Sequence, residues 1–82
     1  MDIHHLVKMA NDIGDFFESE PDKAKGAKGV AEHIRNFWDP RMRRQILTHV
    51  DQASGAGLKD LALTALRTHR KELGGDNSGT DA

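Results

Sequence analysis

The chain has 82 residues, with 12 lysines and arginines, 13 acidic residues and no cysteine. This length corresponds to one small domain and leaves no room for a nucleotide-binding domain beside a substrate domain. Without cysteine, disulfides, a thiol nucleophile and cysteine-ligated zinc or iron–sulfur sites are excluded. The sequence has neither a long apolar run nor the pattern of a signal peptide, so we expect a cytoplasmic protein that does not span a membrane.

Charge is distributed unevenly along the chain. Residues 1–22 hold one lysine and six acidic residues, whereas residues 23–44 hold seven basic residues and two acidic ones. A nearly neutral chain with one basic segment argues against generic polyanion binding. It favours a localised contact, either with phosphate or with the carboxylates of a partner.

Apolar residues recur every three or four positions and no alternating run of strand length occurs, which predicts an all-α fold. The first helix is expected from about Asp2 to Ser19, with Met9 and Phe16 widening its apolar face. Gly14 lies within that face at a cost of about 1 kcal/mol relative to alanine. Close approach of another backbone would explain this glycine, and so would tolerated sequence drift. The predicted inner face consists of Ile3, Leu6, Val7, Ala10, Ile13 and Phe17.

The second helix is expected to end near Phe37 or Trp38, while its start stays open. Ser19 and Asp22 have the spacing of a capping box, and Pro21 is suited to a first turn. The two glycines that follow weaken this part of the pattern. The predicted inner face consists of Ala27, Val30, Ala31, Ile34 and Trp38.

The third helix has the clearest start signal in the chain. Asp39 is a favoured N-cap residue, and Pro40 fits the first helical position, where its missing N–H costs nothing. The helix is expected to end at the turn of residues 54–57. Its predicted inner face consists of Met42, Ile46, Leu47, Val50 and Ala53.

The fourth helix is expected from about Leu58 to Leu73, ended by two glycines. Residues 74–82 contain no large apolar residue and predict a disordered tail behind a helical domain at residues 1–73. Phe16, Phe37 and Leu63 leave surplus apolar surface, which indicates either a partner-covered surface or scattered exposed residues. The predicted inner face consists of Leu58, Leu61, Ala62, Ala65, Leu66 and Leu73.

The residue pattern offers no catalytic or metal-binding constellation. The five histidines lack the spacing of a metal-binding helix, and His69 is expected as a hydrogen-bonded histidine on an inner face. The carboxylates of residues 12–22 suit a solvated acidic face, and no Ser/His/Asp arrangement is present. We therefore expect no catalytic residue, no metal and no bound cofactor in this chain.

Residues 37–44 combine two aromatics, a helix break and three arginines. Arginines in a first helical turn are unfavourable by a few tenths of a kcal/mol, which calls for a compensating anion. Asp39, the acidic first helix, or a partner's carboxylate or phosphate would serve. Helical geometry predicts that Arg43 is half-buried and paired within the domain, whereas Arg41 and Arg44 face outward. A plain solvated basic face is the alternative.

Three groups of residues together resemble a known family. They are Met9-Ala10-Asn11 with Ile13 and Phe16-Phe17, then His33-Ile34 with Phe37-Trp38-Asp39-Pro40-Arg41-Met42-Arg43, and finally Gly57-Leu58 before an alanine-rich helix. Over about residues 5–70, this pattern is similar to the delta subunit of NAD-dependent, molybdenum-containing formate dehydrogenase.

The resemblance implies a non-catalytic accessory subunit of a cytoplasmic complex that oxidises formate and reduces NAD. In such a complex the alpha subunit holds bis-molybdopterin guanine dinucleotide and iron–sulfur clusters, and beta and gamma subunits pass electrons to NAD through FMN. The delta chain is expected to bind none of these cofactors. It is expected to dock on the alpha subunit and to support assembly, cofactor maturation or stability, as a permanent subunit or as a chaperone that leaves.

Physical reasoning adds expected roles for residues in and near this block. Asp39, Pro40 and Arg43 would form a structural corner between the second and third helices. Arginine side chains would offer bidentate hydrogen bonds to partner carboxylates, or to cofactor phosphates during insertion. The expected partner-binding residues are Phe16, Phe37, Trp38, Arg41, Met42 and Arg44.

A small helical regulator or a nucleic-acid-binding domain that uses the arginine cluster is the alternative function. Nucleic-acid-binding domains usually carry a basic stripe along a whole helix and are basic overall. Here the overall charge is close to neutral and the first helix is acidic, which argues against nucleic acid as a partner.

Overall fold

The computed structural model describes residues 1–74, which form four α-helices and contain no strand. The predicted all-α class is therefore confirmed. Apart from Gly74, the predicted tail lies outside the described residues. Within residues 1–74, no helix has the length and apolar character needed to cross a membrane. The helices are α1 (Ile3–Phe17), α2 (Lys23–Phe37), α3 (Pro40–Ala53) and α4 (Asp60–Thr68).

Aspartate side chains cap the first three helices. Asp2 accepts a hydrogen bond from the backbone of His4, and Asp39 accepts one from the backbone of Met42. Asp22 caps α2 by accepting from Ala24, so α2 begins at Lys23. Each cap satisfies at least one of the N–H groups that a helix start leaves without an internal partner. The capping box at Ser19 and the first-turn role of Pro21 are therefore wrong, because the chain enters the helix three residues later.

The core lies where α1 meets the other three helices and where α2 packs on α4. Most predicted inner-face residues are confirmed as buried or as packed against the core. Ala53 is wrong: it is exposed, because it is the last residue of α3. The buried cluster consists of Leu6, Ala10, Ala27, Val30, Ile34, Trp38, Ile46, Leu47, Val50, Leu61, Ala62, Ala65, Leu66 and Leu73.

The last helix is shorter than its apolar pattern predicts. α4 ends at Thr68, and the backbone leaves the helical conformation at His69. A following turn, in which the Leu73 N–H bonds to the His69 carbonyl at 3.2 Å, returns Leu73 to the core, where it is 1% exposed. Leu73 is therefore buried, as the apolar pattern predicts, although it lies beyond the end of α4. The half-buried His69 places Nδ1 3.1 Å from the Glu72 carboxylate, in line with a hydrogen-bonded histidine.

The α3–α4 connection is a tight turn of residues 54–57 that includes left-handed backbone. Ser54 and Gly55 have φ values of 54° and 69°. A Cβ on Gly55 would lie 2.6 Å from Leu63 Cδ1, so only glycine fits both the conformation and the space. Leu63 is half-buried against this turn. The expectation that Leu63 adds surplus exposed surface is therefore wrong.

Candidate interaction surfaces

At the corner between α2 and α3, one of the three arginines has hydrogen-bond partners within the domain. Arg43 Nη1 donates to the carbonyls of Arg35 at 2.9 Å and Trp38 at 3.1 Å. These carbonyls lie at the end of α2, where a helix leaves acceptors without partners and carries partial negative charge. Half-buried and paired inside the domain, Arg43 is placed as predicted. Its compensating partner is the C-terminal end of α2.

Trp38 lies on the inner side of the same corner. It is the C-cap of α2, its backbone is extended, and its side chain is only 5% exposed within the core. The prediction that Trp38 lies on the inner face is therefore confirmed. Its role towards a partner, which burial of the indole does not favour, stays a prediction. Met42 is half-buried and packs against the core from α3. Its role towards a partner remains a prediction.

Arg41 and Arg44 occupy the outer side of the corner. Both side chains are exposed, as predicted, and with Asp39 and Pro40 they line a shallow depression at the start of α3. Neither forms an ion pair with any residue between positions 1 and 74. The outer corner therefore presents two arginines that form no ion pair within residues 1–74, with the Asp39 carboxylate lining the same depression.

An open groove between α1 and α2, here called the aromatic groove, has a volume of about 500 Å³. Two of its residues, Phe16 and Phe37, are 77% and 73% exposed. The Phe16 ring meets Phe17 edge-on at 5.1 Å between centroids, and the His33 ring lies 4.7 Å from that of Phe37. The groove is lined by Asp12, Ile13, Phe16, Phe17, His33 and Phe37.

The α1 side chain that sequence reasoning missed is Asn11. Its Nδ2 donates to the Gly57 carbonyl at 2.9 Å, and its Oδ1 accepts from the Lys59 N–H at 2.8 Å. Nearby, Lys59 Nζ lies 3.2 Å from the Asp15 carboxylate. The two hydrogen bonds of the Asn11 side-chain amide, here called the Asn11 clamp, join α1 to the segment that leads into α4. An asparagine in mid-helix, where its propensity is poor, was the available signal.

The clamp gives a structural reason for two separated parts of the sequence pattern. Asn11 belongs to the motif near the start of the chain, and Gly57 belongs to the motif before the last helix. Gly57 has a φ of 88°, and a Cβ there would meet Val7 of α1 at 3.3 Å. The two motifs therefore meet in space at the junction of α1 with the α3–α4 turn.

An exposed ion pair links the starts of α2 and α4. Lys23 donates a hydrogen bond to the Asp60 carboxylate. The hydrogen bond and the negative charge of Asp60 raise the pKa of Lys23 above its ordinary value. Because both side chains are well exposed, the pair is screened by solvent and contributes little to stability.

The chain has no cysteine to ligate an iron–sulfur cluster. Among the residues described by the structure, no three histidine or carboxylate side chains are grouped closely enough to hold a metal ion. The candidate partner-binding sites between positions 1 and 74 are two surfaces, the aromatic groove and the outer corner.

The four-helix fold and its exposed groove define a small all-α protein with surface suited to protein–protein contact. Residues 5–66 match the family model of the NADH-dependent formate dehydrogenase delta subunit FdsD. The chain therefore belongs to this family, as its sequence pattern indicated. The matched segment contains the Asn11 clamp, the aromatic groove and the arginine corner. No curated protein and no solved structure gives a significant match.

Proposed function

We propose that this chain is a non-catalytic accessory subunit of a cytoplasmic NAD-dependent formate dehydrogenase. It docks on the molybdenum-containing alpha subunit and supports its assembly, cofactor maturation or stability. Bis-molybdopterin guanine dinucleotide, the iron–sulfur clusters and FMN belong to the alpha, beta and gamma subunits, which also deliver electrons to NAD. Membership of the delta-subunit family supports this proposal.

The observation that carries the docking proposal is the exposure of Phe16 and Phe37. Fourteen other apolar side chains close the core without them. Fully burying a phenylalanine side chain contributes about 1.5–3 kcal/mol. Because about three quarters of each ring is exposed, covering both rings with a partner would favour association. Aromatic and arginine side chains are also the residue types that dominate protein interfaces. Arg41 and Arg44, both exposed, offer directional hydrogen-bond donors at the start of α3.

The first experiment is an affinity pull-down of the tagged full chain from its own host. Formate-dependent NAD reduction and molybdenum are measured on the eluate. A large molybdenum-containing partner at matching stoichiometry supports a permanent subunit. Sub-stoichiometric retention of mainly molybdenum-free protein supports a maturation chaperone. An eluate with neither activity nor a large partner contradicts the proposal, and a gel shift with DNA then tests the arginine cluster.

Single substitutions connect this binding to the exposed rings. Phe16→Ala and Phe37→Ala are each expected to weaken retention of the partner by about 10- to 100-fold, because each removes about 1.5–3 kcal/mol of apolar burial. Thr48→Ala, at an exposed position of α3, is the control and is expected to bind as the unaltered chain does. Retention that is equal for all three variants would contradict the role of the rings.

A further inference from the structure

We infer that a cleft between α2 and α4 binds a small organic anion, which consists of a carboxylate or phosphate group on a compact apolar body. The cleft, here called the α2–α4 cleft, has a volume of about 520 Å³. This volume lies within the range of pockets that hold small molecules in proteins. The α2–α4 cleft shares no lining residue with the aromatic groove, so the inference does not depend on how the chain docks on a partner.

The charge of the cleft favours an anion. No aspartate or glutamate lines it, whereas Asp12 lines the aromatic groove and Asp39 lines the outer corner. Two lysines of α2 line the cleft, and one of them, Lys23, is paired with Asp60. The other, Lys28, is exposed, and its side chain has neither an ion pair nor a hydrogen bond within residues 1–74. The ammonium group of Lys28 is therefore available to a bound anion.

Two threonines of α4 contribute hydroxyl groups to the same cleft. Thr64 and Thr68 are four residues apart, so their side chains lie on one face of the helix. Neither hydroxyl has a hydrogen-bond partner between positions 1 and 74. A hydroxyl group can donate to a carboxylate or phosphate oxygen. Together with Lys28, the two threonines offer a bound anion donors from both walls of the cleft.

His69, the C-cap of α4, is a lining residue that the fold holds in position. Its Nδ1 lies 3.1 Å from the Glu72 carboxylate, and its side chain is 17% exposed. Nε2 has no hydrogen-bond partner in the described part of the chain. Because the hydrogen bond at one ring nitrogen determines what the other nitrogen offers, Nε2 is the atom left for a ligand.

Small apolar side chains on α2 account for the apolar body of the expected ligand. Ala24 and Ala27 line the cleft, and Ala27 is 2% exposed. A methyl group at each position leaves space that a longer side chain would fill. An anion with an apolar body covers this surface and removes it from water, which inorganic phosphate is too small and too polar to do. We therefore expect an organic anion to bind more tightly than inorganic phosphate.

Titration of the full chain with four probes, followed by NMR of the backbone amides, tests the inference. Phenyl phosphate and benzoate combine an anion with an apolar ring. Benzyl alcohol has the ring without the charge, and inorganic phosphate has the charge without the ring. We expect phenyl phosphate or benzoate to shift the signals of Lys28, Thr64, Thr68 and His69, and to bind at least about 10-fold more tightly than the other two probes. The tighter of the two anions identifies the preferred head group.

Matched variants distinguish a site from general attraction to lysines. Lys28→Ala is expected to weaken binding by about 10-fold or more, and Thr68→Val by about 3- to 10-fold. Lys25→Ala, at an exposed lysine of α2 that does not line the cleft, is the control and is expected to bind as the unaltered chain does. Circular dichroism checks that each variant is folded.

Three results would overturn the inference. They are equal weakening by Lys28→Ala and Lys25→Ala, binding of benzyl alcohol as tight as that of both anions, and the absence of shifts at millimolar concentrations of all four probes. Each of these results leaves the proposed docking on a formate dehydrogenase untouched, because the pull-down tests that separately.

Discussion

Two polar side chains, Asn11 and Arg43, join separate segments of the chain by hydrogen bonds to backbone atoms. Asn11 reaches from α1 to two residues of the segment that leads into α4, and Arg43 reaches from α3 to carbonyls at the end of α2. Because almost every residue has the same backbone N–H and C=O groups, the sequence does not show which of them a side chain will bond. The orientation of Arg43 was predictable from helical spacing, whereas its two acceptors and the whole Asn11 clamp were not.

Removing the clamp is expected to destabilise the fold. Asn11→Ala leaves the Gly57 carbonyl and the Lys59 N–H without their partner, so the free energy of unfolding should fall by about 1–3 kcal/mol. Urea denaturation followed by circular dichroism measures this change. The same substitution at the exposed Asn36 of α2 is the control, with an expected change below about 0.5 kcal/mol. Equal stability of the two variants would show that the clamp is dispensable.

The arginine corner provides a second matched pair. Arg43→Ala removes the donor to the two carbonyls that end α2 and is expected to lower the free energy of unfolding by about 1–3 kcal/mol. Arg44→Ala alters only an exposed side chain, with an expected change within about 0.5 kcal/mol. Thermal and urea unfolding distinguish the two. A larger loss for Arg44→Ala would contradict the assignment of Arg43 as the residue that holds the corner.

At the level of helices, the space around Gly14 and Gly29 shows how closely α1 approaches α4 and α2. Gly14 of α1 faces Ala62 of α4, and a Cβ there would lie 3.5 Å from the Ala62 Cβ, an ordinary contact. Gly29 of α2 faces the Phe17 ring, and a Cβ there would lie 2.5 Å from Cε1. From the sequence, close approach of another backbone was one explanation for a glycine at position 14. The structure assigns the restrictive contact to Gly29, because only the packing of α1 on α2 decides where the Phe17 ring lies.

Alanine at these two positions is expected to act in opposite directions. Gly14→Ala should raise the free energy of unfolding by about 0.5–1 kcal/mol, since the helix gains propensity and the methyl group has room. Gly29→Ala should lower it by up to about 2 kcal/mol, because displacement of Phe17 outweighs the same gain in propensity. Urea denaturation of both variants checks the difference. A Gly29→Ala variant as stable as Gly14→Ala would contradict the packing of Phe17.

Across the whole molecule, the tryptophan and two of the phenylalanines differ sharply in burial. Trp38, the chain's single tryptophan, is 5% exposed, whereas Phe16 and Phe37 stand outside the core. A substitution at Trp38 therefore tests folding, and substitutions at the two phenylalanines test the proposed binding. Phe37 and Trp38 are neighbours in the sequence, and α2 ends between them. One side chain is exposed and the next is buried.

This division makes the tryptophan a probe of the fold. Its fluorescence emission is expected at short wavelength in the folded chain, with a shift to the red on unfolding, because the indole leaves an apolar environment. Trp38→Ala is expected to cost about 3–5 kcal/mol, as for other large side chains deleted from a core. Phe37→Ala is expected to leave both the emission and the unfolding midpoint nearly unchanged. Native emission at the wavelength of a solvent-exposed indole would contradict the burial of Trp38.

The sequence by itself determined the all-α class, most of the inner faces, the start of α3 at Asp39 and Pro40, and the outward direction of Arg41 and Arg44. These features depend on spacing along one helix or on local capping, so nearby residues suffice to specify them. Only the tertiary structure decided that Gly29 lies against the Phe17 ring, that α4 ends before Leu73 and that Asn11 binds the segment leading into α4. These depend on how helices distant in sequence are placed against one another, which no local pattern encodes.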